Sequence, residues 1–146
     1  MKKSDKTPWM DAADYGRSLK GFGVNLLYAD VKRAVAFQRD VLGADVVYDD
    51  VDFAVMRHDG VEWMLHADHT YRDNVLAGTA EGVEVRGQGV ELRLHNVDPD
   101  AVEARARDGG YTVLAGSMDK PHGTRECVIM DDEGYVWVAD APLPTG

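Results

Sequence analysis

Hydrophobic and polar positions along the chain change period twice, in the same order each time. From Gly23 the apolar residues alternate as Val24, Leu26 and Tyr28, the two-residue period of a half-buried strand. They then recur at helical spacing, as Val31, Ala34, Val35 and Leu42, up to Gly43. The stretch from Gly89 repeats this. Val90, Leu92 and Leu94 alternate, Ala101, Val102 and Ala104 follow at helical spacing, and Gly109 closes the run. The two copies align without a gap at an offset of 66 residues, Gly23 on Gly89 and Gly43 on Gly109. Each closing glycine suits a helix C-cap. Strand, helix and glycine, used twice, predict a two-module protein.

The rest of the pattern fills in both modules. In the first, residues 21–68, a strand over Phe22–Tyr28 leads into a helix over Val31–Leu42 with Asp30 as its N-cap. Strands follow over Ala44–Asp49, Phe53–His58 and Val61–His66. Asp49-Asp50 and Asp59-Gly60 supply the turns, the second a tight-hairpin signal. The module reads βαβββ. Residues 69–86 form a connector with weak helical patterning at Tyr71, Val75 and Leu76. The second module, residues 87–141, has a strand over Val90–Asn96 and a helix after Asp98 with Pro99 in its first turn. Strands over Tyr111–Ala115, Arg125–Met130 and Tyr135–Asp140 complete it, joined by the loop SMDKPHG and the turn DDEG. Residues 1–20 form an N-terminal arm. It is either disordered or folded as a short helix around Asp11–Leu19 that packs Trp9 or Met10 on the body or on a partner subunit. Residues 142–146 are a tail without structure.

Composition narrows the class. A chain of 146 residues is long enough for one domain with a sizeable core, here spanning 21–141. No apolar run approaches the ~18 residues that a membrane span requires. The lysines near the start have no apolar segment behind them, so no secretory signal is expected. Cys127 is the single cysteine, which excludes an intrachain disulfide and fits a reducing cytoplasm. A net charge of −10 argues against nucleic acid, whose phosphates demand basic side chains, and leaves a cationic small molecule open.

Paired βαβββ modules carrying VKRAVAFQRDVLGA in the first half resemble the vicinal oxygen chelate superfamily of glyoxalases, extradiol dioxygenases and bleomycin-resistance proteins. GVELRLHNVDPDAVEARARDGG followed by PHGTRECVIMDDEGYVWV is most similar to the bleomycin-resistance-like branch. The resemblance covers residues 20–141. It implies an α+β fold whose two modules form cup-shaped mixed sheets, and a symmetric homodimer. Enzymes of the superfamily hold a divalent metal in the cup with His and Glu from four strands. Carried over, those positions fall at Gly23, at Glu62 or Met64, at Gly89 or Glu91, and at Val138. One or two carboxylates remain where a divalent site needs at least three donors. The resemblance therefore implies no metal and no other cofactor.

Strand alternation supplies candidate site residues. If Val90, Leu92 and Leu94 face the helices, Glu91, Arg93 and His95 face into the cup. Asn25 and Leu27 do so from the first strand, and Met64 and His66 from the fourth if Trp63 and Leu65 are core. Arg125 and Glu126, in HGTRE, add to the rim. These residues form either a concave site with apolar walls and a few polar groups or a wetted face on which Glu91 and Arg93 pair with each other. His66 and His69, three apart, point to opposite faces and so make no metal pair. His58 and His122 beside glycines read as solvent-facing, and Cys127 as a buried, inert thiol. The expected partner is a small molecule, bound without metal by stacking and apolar burial, with neither nucleic acid nor membrane involved. The alternative is a lyase, isomerase or dioxygenase that uses a rearranged metal site, or only acid–base groups such as Glu91 and His95.

Overall fold

Strand, helix and three strands follow one another twice in the computed structural model, which describes residues 1–145. The chain divides into two compact units, residues 1–35 with 44–81, and residues 36–43 with those from 82 onward.

In the first unit, β1 (Asn25–Tyr28), β2 (Asp45–Asp49), β3 (Phe53–His58) and β4 (Val61–Ala67) form a sheet in the order β1-β4-β3-β2. β1 runs parallel to β4 and the other pairs are antiparallel, so the sheet is mixed. Residues opposite each other in a ladder share a face. One face therefore carries Leu26, Tyr28, Ala54, Met56, Trp63, Leu65 and Ala67, all of them buried. Leu27, Phe53, Met64 and His66 lie on the other. The first strand is shorter than its alternation predicts. Phe22 is 91% exposed, and the glycines on either side of it offer a sheet nothing to pack. Helix α1 (Ala12–Ser18) lies in the arm, capped by Asp11, whose carboxylate accepts from the amides of Ala13 and Asp14.

Helix α2 (Val31–Asp40) starts as its cap predicts, with the Asp30 carboxylate accepting from the Arg33 amide at 3.0 Å. Val31, Ala34 and Val35 are buried in its first half. Its second half belongs to the second unit, where Phe37 meets Tyr111 edge-on at 4.7 Å and Arg105 Nε donates to the Val41 carbonyl at 2.9 Å. The connector holds a 3-10 turn (Asp68–Thr70) and helix α3 (Val75–Ala80).

In the second unit, β5 (Glu91–His95), β6 (Thr112–Asp119), β7 (Thr124–Met130) and β8 (Val136–Pro142) repeat the mixed topology in the order β5-β8-β7-β6. Helix α4 (Pro99–Asp108) packs on β6, β7 and β8, burying Val102 and Ala106. Leu94, Cys127, Ile129, Trp137 and Ala139 are buried with them. Trp137 Nε1 donates to Asp131 at 3.1 Å, so the largest core side chain has its polar atom satisfied. The DDEG turn closes at Gly134, φ +90°, where a Cβ would lie 2.5 Å from the Val85 Cα. Only glycine fits there.

Boundaries in the second unit also differ from the pattern. β5 begins at Glu91, leaving Val90 53% exposed and Leu92 only half-buried, so Leu94 is the anchor of that strand's apolar side. β6 continues through Ser117, Met118 and Asp119, residues that read as loop because two register shifts break the alternation. β8 extends to Pro142, paired with Thr124. The left-handed glycine after α4 is Gly110 (φ +75°), while Gly109 is right-handed. Among the described residues no helix is long and apolar enough to cross a membrane.

Candidate functional site

The N-terminal arm lies over the face of the first sheet that carries Met64 and His66. The Asp52 carboxylate, 5% exposed, accepts the amides of Lys3 (2.8 Å) and Ser4 (2.7 Å) and contacts His69 Nε2 at 2.7 Å. Burial pushes Asp52 up, yet His69 and the two amides outweigh it and hold the carboxyl below its ordinary range. Trp9 stacks on Tyr48 at 5.4 Å between ring centroids, and Tyr15 meets it edge-on at 5.0 Å. The Lys6 ammonium sits over the Tyr48 ring at 4.6 Å. The Tyr15 hydroxyl donates to Glu62 at 3.0 Å, and burial together with that acceptor pushes it up to about 12.

Beneath the arm is a cavity of about 610 Å³. Its walls include Trp9, Met10, Tyr15, Phe53, Met64 and His66, with Asp52 and Lys2 also lining it. Apolar side chains from the arm meet apolar side chains from β3 and β4, a composition and size typical of small-molecule sites. His66 is packed by Phe53, stacked at 6.0 Å, and by Tyr71 at 5.0 Å. Burial lowers its pKa, which keeps the imidazole neutral at physiological pH.

The second unit holds a polar cluster. Arg93 Nη2 donates to Glu126 at 2.5 Å and to Asp140 at 3.3 Å, and Nη1 reaches Glu91 at 3.3 Å. His95 Nδ1 lies 2.9 Å from Asp140, and His122 Nε2 lies 3.0 Å from Glu126. Thr124 donates to Glu126 at 2.9 Å. Both central carboxylates are 6% exposed. Burial pushes Glu126 up, but His122, Thr124 and Arg93 together hold it below its ordinary value. Four donors around two carboxylates make this an ordered charge network.

Of the residues singled out in the sequence, Met64 and His66 share the cavity, while Glu91, Arg93, His95 and Glu126 share the cluster. Asn25 is exposed and is not among the cavity's lining residues, although it is opposite Met64 in the ladder. Arg125 turns to the other side of β7 and binds Asp100 and Asp119, at 2.9 Å each. His122 engages Glu126 although it is 62% exposed. Asp140 was missed, though alternation from Val138 and parallel pairing place it opposite His95. Asp52 was also missed. It sits in an acidic run that reads as a turn, and nothing in the sequence links it to Lys3 and Ser4.

The positions inherited for a metal do not fit one. Gly23 and Gly89 have no side chain, Met64 offers a thioether, and Val138 is buried and apolar. The Glu62 carboxylate is engaged by Arg57 Nε at 2.9 Å and by Tyr15, and Glu91 by Arg93. Among the described residues no group of three or more His, Cys, Asp or Glu is arranged to hold an ion.

Comparison with known proteins agrees with this architecture. Among curated proteins, no sequence matches. A glyoxalase/bleomycin resistance protein/dioxygenase family enzyme from Burkholderia phytofirmans PsJN superposes with a TM-score of 0.68 at 18% identity, covering 82% of this chain and 96% of that one. TioX from Micromonospora sp. ML1 gives 0.58 at 23% identity, covering 84% and 100%. Lactoylglutathione lyase from Agrobacterium tumefaciens gives 0.60 at 18%, covering 84% and 92%. These likenesses establish the fold, and a family model matches residues 23–139. The chain belongs to the Glyoxalase/Bleomycin resistance protein/Dioxygenase superfamily.

Proposed function

We propose that this protein binds a small, largely apolar aromatic molecule in the cavity beneath its N-terminal arm, without a divalent metal. The observation that carries this is the cavity itself, about 610 Å³ walled by Trp9, Tyr15, Phe53 and Met64. Stacking and apolar burial are the interactions such a wall offers, and each favours rings. A thermal-shift screen of two- and three-ring aromatic compounds tests it. Several should raise the melting temperature of the wild type and fewer that of Phe53→Ala. A screen without a hit below millimolar concentration would refute the proposal. Stoichiometric Zn, Ni, Mn or Fe retained after dialysis against a mild chelator would overturn its metal-free part.

A second reading is acid–base catalysis in the second module. It is favoured by His95, whose Nδ1 rests on the nearly buried carboxylate of Asp140, an arrangement that fixes the orientation of the imidazole. Metal-free protein should then speed α-proton exchange of a small ketone, and His95→Gln should abolish this. Absence of exchange sinks that reading.

The family resemblance also leads us to propose a symmetric homodimer. The arm is anchored within its own chain, so the dimer needs no clasp from residues 1–20. A monomer mass by light scattering at micromolar concentration would exclude it.

A further inference from the structure

We infer that the cavity selects an uncharged planar aromatic molecule bearing one hydrogen-bonding group, such as a phenol or an aryl ketone, which is received by His66. This rests on the binding reading above and specifies what that site takes.

The inference starts from what surrounds the imidazole. His66 projects from β4 on the same face as its ladder partner Phe53, and both line the cavity. Phe53 stacks on the ring with only 19° between the planes, and Tyr71 tilts against it at 40°. Ring contacts of this kind engage the π-faces and leave the edge, which carries the two nitrogens. Among the described residues neither nitrogen has a hydrogen-bond partner, and no charged neighbour acts on the ring. A neutral imidazole has one donor and one acceptor to satisfy. Open to the cavity and set among largely apolar walls, these groups favour a ligand that brings one complementary group and otherwise presents hydrocarbon.

The charged groups near the cavity argue against a charged ligand. Asp52 is filled by Lys3, Ser4 and His69, and Glu62 by Arg57 and Tyr15. The N-terminal ammonium donates to the His69 carbonyl. With its hydroxyl committed to Glu62, Tyr15 offers the cavity its ring. Lys2 is exposed, so its ammonium meets an anion in screened water rather than inside. A cation entering would find both nearby carboxylates already paired. An anion would leave water for an aromatic wall.

The test compares 2-naphthol, naphthalene, 2-naphthoate and 2-naphthylmethylammonium at pH 7 by calorimetry, on the wild type and on His66→Phe. Phenylalanine keeps a ring between Phe53 and Tyr71 and removes both nitrogens. On the wild type, 2-naphthol should bind about tenfold tighter than naphthalene, and both ions should bind more weakly than naphthalene. On His66→Phe the naphthol preference should vanish while naphthalene affinity is kept. The inference is overturned if the preference persists in the variant, or if either ion binds as tightly as 2-naphthol. Failure of naphthalene to bind either protein would overturn the binding reading itself, and this inference with it. Should the variant not fold, ¹⁵N shifts of His66 in the wild type decide. They must move with 2-naphthol and stay put with naphthalene.

Discussion

Replacing Arg93 with Met probes the charge network of the second module. The guanidinium donates to Glu126 at 2.5 Å and to Asp140 at 3.3 Å, and both carboxylates are 6% exposed. Methionine fills a similar volume but leaves two closely spaced negative charges without the cation between them. Removing one partner of a fully buried ion pair costs about 3–5 kcal/mol. Here Arg93 is 31% exposed, and His95, His122 and Thr124 still serve the carboxylates. The cost should therefore fall to about 2–3 kcal/mol. At about 3 °C per kcal/mol for a chain of this size, the melting temperature should drop by about 6–9 °C at pH 7. The pH dependence identifies the cause. Glu126 is held below its ordinary value, so in the wild type it contributes stability above pH ~4.3 that is lost as pH falls through its folded pKa. Without Arg93 the folded pKa rises and that contribution shrinks. The gap between wild type and variant should be widest above pH ~5 and close in acid. Thermal melts between pH 4 and 8 measure it. A gap below 1 °C at pH 7, or one that does not narrow toward pH 4, would refute the reasoning.

Three further outcomes are expected. Leu94→Ala, on the buried side of the same strand, should cost about 2–5 kcal/mol with little pH dependence, and a pH-dependent loss in urea titrations would contradict the face assignment. Asp52→Asn should release the arm, with faster amide exchange over residues 1–18 and quicker tryptic cleavage at Arg17. Because its folded pKa is depressed, the wild-type anchor is fully present above pH ~4 and lost only as pH falls below that, through the lowered folded pKa, so an arm equally protected in the variant or in strong acid would disprove the anchoring role. Burial pushes the Cys127 thiol up, and the residue is fully buried, so a thiol reagent should modify it only at the rate of unfolding; fast labelling of native protein would show otherwise.

How much of this was legible in the sequence depends on the distance over which each feature is determined. Periodicity is local, and it placed both central helices, the alternation of β4 and the grouping of Glu91, Arg93 and His95 on one side of β5. Capping is local too, and Asp30 and Asp98 act as read. Register shifts are not local. β6 runs past Ala115 to Asp119, which the pattern does not show because two register shifts break the alternation by which a strand is read.

The sites show the same division more sharply. Half of the polar cluster comes from β5, where alternation alone exposed it. Asp140 and His122 become visible only when β8 is laid parallel to β5 and the loop before β7 is folded back. The cavity was further out of reach. It exists because backbone amides of Lys3 and Ser4 find a carboxylate 49 and 48 residues away, and an amide carries no sequence signature. An aromatic-bearing arm such as 1–20 is thus ambiguous by itself, since Trp9 and Tyr15 fit a disordered segment as well as a roof. The decisive partner is Asp52, buried and acidic in a stretch that otherwise reads as a turn. A nearly buried carboxylate is costly unless several donors meet it. Where the chain keeps one away from any ligand set, the donors must come from elsewhere in the fold, and here they come from the segment that closes the site.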